Sequence, residues 1–352
     1  MRRTAAASAF VLCTLLSVFY GSAQTTCDPF GNLRFVCGPI DSEDLITIPD
    51  SPWILVSGMQ DEGHLYLADT RSTGSFVAYP GNTPSHRHDA ETYSKCPGPL
   101  PSGFRPHGLN VRPDNSGRHT LYVVRHGGRE AVEIFELDTT QEPPSLTWIG
   151  CVLPPESVNG NAVVPLPEGG FALTNFLRFG DSNAMANLQS GGPTGEVWEW
   201  HHDSDWKIVP DSEISGANGI EISPDGQWFY IGAWGSQSFI RLSRNKLPVT
   251  KETVALGFNV DNIHWAPDGS LLAAGQGGGT DTVLACLTQG DCSNMTNDVV
   301  KIDPHTLQIQ QLIHYPSDAH VISGTAAVQV GSEIWVGSLG GSDRIAIFPL
   351  EN

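Results

Sequence analysis

The sequence predicts an all-β fold, a six-bladed β-propeller with a central tunnel. Three observations lead there. A hairpin unit recurs six times, each copy an alternating apolar run, a tight-turn sequence and a second apolar run. Successive copies begin roughly 64, 54, 57, 43 and 64 residues apart, which is the size of one small antiparallel sheet. No long amphipathic helix interrupts the series, so a radial array of sheets is the architecture that accommodates it.

The clearest copy is the fourth. Asn218-Gly219-Ile220-Glu221-Ile222 alternates, Ser223-Pro224-Asp225-Gly226 turns, and Trp228-Phe229-Tyr230-Ile231 returns. The first copy runs from Glu43 through Pro49-Asp50 to Trp53-Ile54-Leu55-Val56. The second runs from His107 through Pro113-Asp114 to Leu121-Tyr122-Val123-Val124. The third opens at Asn161 and turns at Pro167-Glu168-Gly169-Gly170. The fifth opens at Asp261-Asn262 and turns at Pro267-Asp268-Gly269, and the sixth opens at Thr325 and turns at Gly331. If each first run is the innermost strand of its blade, the residues that open them share one end of the tunnel. Those residues are Glu43, His107, Asn161, Asn218, Asp261 with Asn262, and Thr325. Five of the six positions carry a titratable or metal-capable group, and this convergence is the functional signal.

Residues 1–23 read as a secretory signal, with Arg2 and Arg3 ahead of an apolar stretch and Gly21-Ser22-Ala23 at the cleavage position. The stretch is too short for a stable membrane span. Residues 24–352 then form one propeller domain, and the protein is expected outside the cell or in the periplasm. The formal net charge of −19 argues against nucleic acid or an anionic membrane as partner. Beyond Cys13 in the leader, six cysteines remain, which in an exported chain points to disulfides with 15 possible pairings. Cys27 with Cys37 and Cys286 with Cys292 bracket short segments and read as local staples, leaving Cys96 and Cys151. No Cys or His pair has zinc-site spacing. Asn294-Met295-Thr296 fits a glycosylation acceptor.

Between blades, residues 69–106 are poor in apolar runs and read as a long excursion on the tunnel-mouth face. Residues 175–193 follow an inner hairpin directly and are placed to fold across the tunnel. Phe176, Phe179 and Trp234 are therefore candidates for the lining of a substrate pocket. Residues 275–291 read as a Gly-rich surface loop, and any helix is expected in the first two excursions. The last strand, from Arg344, is expected to close the ring by pairing with the first blade.

Phe104-Arg105-Pro106-His107-Gly108-Leu109, Leu121-Tyr122-Val123-Val124-Arg125-His126 and Val132-Glu133-Ile134-Phe135 are similar to the corresponding region of the serum paraoxonases. Ala217-Asn218-Gly219-Ile220 and Val260-Asp261-Asn262-Ile263 resemble both these and the wider gluconolactonase/regucalcin-like superfamily. The resemblance covers the chain from about Ser42 onward. It implies a calcium ion in the tunnel, held by Glu43, Asn161, Asn218, Asp261 and Asn262. It also implies a histidine dyad in which His107 draws a proton from water while His126 supports it. The implied substrate is a small lactone or ester. An all-oxygen set of two anionic and three neutral ligands suits a hard cation such as Ca²⁺ on chemical grounds alone. A second, structural calcium would fall to Asp44 and the Leu109 carbonyl, but its remaining carboxylate position is Ala162. In the gluconolactonase-like branch the base is instead a metal-bound carboxylate, here Asp261. Two rivals stay open: a strictosidine-synthase-like lyase, and a non-catalytic propeller that binds a ligand and keeps calcium for stability. A serine nucleophile has no Gly-x-Ser-x-Gly elbow to sit on.

Overall fold

The computed structural model describes residues 27–350, so the expected signal sequence, residues 1–23, and Cys13 lie outside the described residues. Six sheets surround an axis, as the repeats predict. The innermost strands are Ser42–Thr47, Arg105–Arg112, Val158–Pro165, Ala217–Ile222, Asn259–Trp265 and Ser323–Val330, in blades 1 to 6. Each packs against the next, and the sixth packs back on the first, which completes the ring.

Apolar runs such as Trp53-Ile54-Leu55-Val56 do not alternate with polar residues because both faces of a blade are covered. Neighbouring positions feed opposite interfaces. Val163 joins a cluster with Tyr122 and Val124 of blade 2, while Val164 joins one with Ile220 and Phe229 of blade 4. Six such clusters fill the six blade–blade interfaces, and a seventh lies beneath two short helices. Each fully buried side chain of this size contributes about 1.5–3 kcal/mol, so the interfaces hold the ring together.

The structure corrects three expectations. The ring is closed by the N-terminal strand Arg34–Cys37, which pairs antiparallel with Arg344–Pro349 and becomes the outermost strand of blade 6. The strand from Arg344 remains in its own blade. Residues 69–106 do not lie over the tunnel mouth throughout. Ser75–Tyr79 is the fourth strand of blade 1, and Ser85–His86 adds a fifth, parallel strand to the outer edge of blade 2. The Cys96–Cys151 disulfide fastens that excursion to the blade. Finally, residues 275–291 contain a helix, α2 (Thr280–Gln289), whose partner α1 (Ala184–Ser190) lies in the second excursion. Cysteines pair Cys27–Cys37, Cys96–Cys151 and Cys286–Cys292. Among the described residues no helix is long and apolar enough to cross a membrane.

Candidate active site

Every innermost strand is bulged at its site residue. Pairing with the second strand shifts between Ser42 and Asp44, Pro106 and Leu109, Gly160 and Val163, Ala217 and Ile220, Val260 and Ile263, and Gly324 and Ala326. These shifts bracket Glu43, His107, Asn161, Asn218, Asp261 with Asn262, and Thr325. A bulge inserts an unpaired residue and re-aims its side chain, which here brings Glu43, His107, Asn161, Asn218 and Asp261 to the lining of one cavity. Close approach of neighbouring bulges requires glycine beside two of them. A Cβ at Gly108 would fall 2.5 Å from the Asn161 carbonyl oxygen, and one at Gly219 would fall 2.5 Å from that of Asp261.

Glu43, Asn161, Asn218 and Asp261 share the lining of a cavity of about 530 Å³. Asn262 is buried behind them and donates from Nδ2 to Glu43 Oε1 at 2.9 Å. Thr325 is not part of that lining; its hydroxyl donates to the Glu43 carbonyl at 2.7 Å. Gln276, which the sequence reading missed, donates to Asp261 Oδ2 at 2.7 Å and accepts from Trp234 Nε1 at 3.1 Å.

Three buried oxygens here have no hydrogen-bond partner: Glu43 Oε2, Asn161 Oδ1 and Asn218 Oδ1. They come from blades 1, 3 and 4. An orphaned buried acceptor costs about 1–3 kcal/mol, so three at one spot call for a cation. The charges agree. Burial first, then the charge of Asp44, raises Glu43 well above the ordinary carboxylate range, with Asn262, His126 and His264 pulling it back. Burial and then Glu43 push Asp261 up to about 8. Among the described residues no three His, Cys, Asp or Glu side chains form a metal cluster; the oxygen set here is mainly amide.

Beside this floor His107 Nδ1 lies 2.8 Å from His126 Nε2, and His126 Nδ1 lies 2.7 Å from Glu130 Oε2. An ionised Glu130 only accepts, so two neutral rings have one consistent assignment: hydrogen on both Nδ1 atoms and a bare Nε2 on His107. That nitrogen lies 3.2 Å from Glu43 Oε1 and 3.5 Å from Asn161 Nδ2. Burial pushes His107 down to about 4 and also lowers His126. Glu130 is held by a turn through Gly127-Gly128, anchored where Arg125 and Arg129 both donate to buried Glu133. Its sequence signal was only its position four residues after His126.

The upper walls are apolar. Phe176 and Trp234 line the cavity together with Met185 and Leu188 of α1 and Leu284 and Leu287 of α2. Phe179 does not: it is 49% exposed, past the end of the strand Phe171–Arg178 and of opposite parity to Phe176. The helices supply the wall in its place.

Deeper along the axis, Asp44 is fully engaged. Its Oδ1 accepts from Leu45 N at 2.8 Å and lies 2.6 Å from His264 Nε2, and its Oδ2 accepts from Leu109 N at 2.7 Å. His264 Nδ1 lies 3.5 Å from Glu221 Oε1, which also accepts from Asn110 at 3.3 Å. Four blades are thus tied through one imidazole. Burial alone would depress His264, but Asp44 and then Glu221 push it up to about 10. Its folded value exceeds its unfolded one, so its contribution is complete below about pH 6.5 and is lost as pH rises through about 10. His264→Ala should cost about 3–5 kcal/mol in urea melts at pH 7 and flatten the decline in stability from pH 7 to 10. An unchanged pH profile would show that the imidazole is not the tie.

The sequence model of the arylesterase family matches residues 29–339. Human serum paraoxonase/arylesterase 1 is 27% identical over 170 residues, 47% of this chain and 47% of that protein, so the match spans about half the length of the curated relative. A gluconolactonase from Xanthomonas campestris superposes with a TM-score of 0.53 at 14% identity, covering 91% of this chain and 89% of that one. A calcium-binding protein, regucalcin, from Agrobacterium tumefaciens does so with 0.50 at 12%, covering 89% and 91%. The two structural likenesses speak to the fold alone, whereas the match over residues 29–339 speaks to descent: the chain belongs to the arylesterase family.

Proposed function

We propose that this protein is a secreted or periplasmic, calcium-dependent hydrolase of lactones or aryl esters. The observation that carries the proposal is the meeting of three partnerless buried oxygens, from Glu43, Asn161 and Asn218, beneath the bare Nε2 of His107. Family membership supports small-molecule ester chemistry, and three disulfides suit an oxidising compartment.

Glu43, Asn161, Asn218, Asp261 and Asn262 would hold the ion, as hard oxygen donors of the kind calcium takes. When bound, Ca²⁺ supplies electrophilic stabilisation to a carbonyl oxygen as it gains negative charge. His107 Nε2 takes the proton from an attacking water and returns it to the departing alkoxide or phenoxide. His126 accepts from His107 Nδ1, and Glu130 holds His126 in the tautomer that permits this. Burial keeps His107 neutral at neutral pH and so able to accept a proton. The walls from α1 and α2 seat the apolar arm of the substrate and exclude water. One ion suffices, since both oxygens of Asp44 are engaged and Ala162 offers no ligand.

A panel of lactones and aryl esters, with and without chelator, tests this. Chelation should abolish turnover and lower the melting temperature. Calcium-dependent melting without any turnover would instead mark a ligand-binding propeller. Glu130→Gln keeps an acceptor but loses the charge, and should lower kcat about tenfold with little change in KM. Steady-state kinetics on the best ester checks this, and full activity in the variant would remove Glu130 from the relay.

A further inference from the structure

We propose that Arg105 recognises a carboxylate on the substrate, so that this site prefers esters or lactones bearing an acid group on the arm that faces blade 2. The inference rests on the hydrolase reading above. Among the described residues lining the cavity, Arg105 is the one Arg or Lys. It pairs in register with His126 and lines the same cavity as both dyad histidines. Its Nε is buried and has no hydrogen-bond partner. Its ion-pair partner is Asp61, 3.7 Å from Nη1 and 96% exposed. An ion pair that open to water holds little energy and yields readily to a better partner. Glu130 lines the same wall but is engaged by His126.

A guanidinium offers donors only, so whatever rests on it must accept, and its planar fork matches a carboxylate. A wholly apolar substrate would cover the group without satisfying it. The cavity is two-sided in the way this requires: Phe176, Trp234, Leu284 and Leu287 form an apolar wall, while blade 2 presents the cation. At a net charge of −19 the molecule as a whole repels anions, so an acidic substrate needs a local cation at the mouth.

The test is a pair of aryl acetates identical except for a para carboxylate or a para carboxamide. Wild type should favour the carboxylate in kcat/KM by about tenfold or more. That ratio should collapse toward one in Arg105→Gln and survive in part in Arg105→Lys. Because the ratio is internal to each variant, general damage does not move it. A wild-type ratio near one, or an unchanged ratio in Arg105→Gln, overturns the proposal. If wild type cleaves neither ester, the panel of lactones and aryl esters decides the hydrolase reading separately. Calorimetric titration with 4-hydroxybenzoate then decides: binding about tenfold tighter to wild type than to Arg105→Gln sustains the proposal, and equal binding overturns it.

Discussion

Asp261→Asn should leave the metal-free protein more stable than wild type at pH 9, while removing most of its response to calcium and cutting ester turnover at least about a hundredfold. The first effect follows from charge. Asp261 and Glu43 are buried against each other, and burial followed by Glu43 pushes Asp261 up to about 8. A carboxyl raised above its unfolded value lends stability that is present at low pH and lost as pH rises through about 8. Metal-free wild type should therefore weaken between about pH 4 and 8, and the amide variant should weaken less. Calcium reverses the order. At a hundred times its Kd it stabilises the folded state by about 2.7 kcal/mol, and the variant should forfeit most of that. Melting curves at pH 6 and pH 9, with calcium or chelator, measure both effects. An undiminished calcium shift in Asp261→Asn would remove this carboxylate from the ligand set.

His107→Gln should lower kcat by about 10²–10⁴ and leave calcium-dependent melting in place. The variant keeps a polar side chain near Glu43 but has no ring nitrogen to accept a proton, so binding and proton transfer separate. The rival base is Asp261, held by Gln276 at 2.7 Å. If Asp261 serves, His107→Gln loses less than about tenfold. The size of the loss in His107→Gln assigns the base, because Asp261→Asn disturbs melting and turnover whichever residue serves.

The ring and its inward-facing positions were legible because each blade repeats one hairpin, and each hairpin opens on a polar residue that interrupts an apolar run. That interruption is the bulge, visible in Asp261-Asn262 and Asn218-Gly219 as two non-core residues where period two allows one. Partners that act across strands were not legible. Gln276 reads as the tail of Leu271-Leu272-Ala273-Ala274-Gly275, and His264 as one more residue of its strand, yet they meet Asp261 and Asp44 only in three dimensions. The helix Thr280–Gln289 was hidden by the glycines at its ends, Gly278-Gly279 and Gly290, although Val283, Leu284 and Leu287 carry helical spacing. Phe179 was grouped with Phe176 by proximity in sequence, and strand parity separates them.

Strand Arg34–Cys37 is synthesised about three hundred residues before its partner, Arg344–Pro349. Until then the nascent molecule is an open arc with two raw edges. Contacts so remote in sequence form slowly, and exposed edges invite association with other chains. The Cys27–Cys37 disulfide ties the segment ahead of this strand to the strand's last residue, so a covalent link stiffens the edge that has to wait.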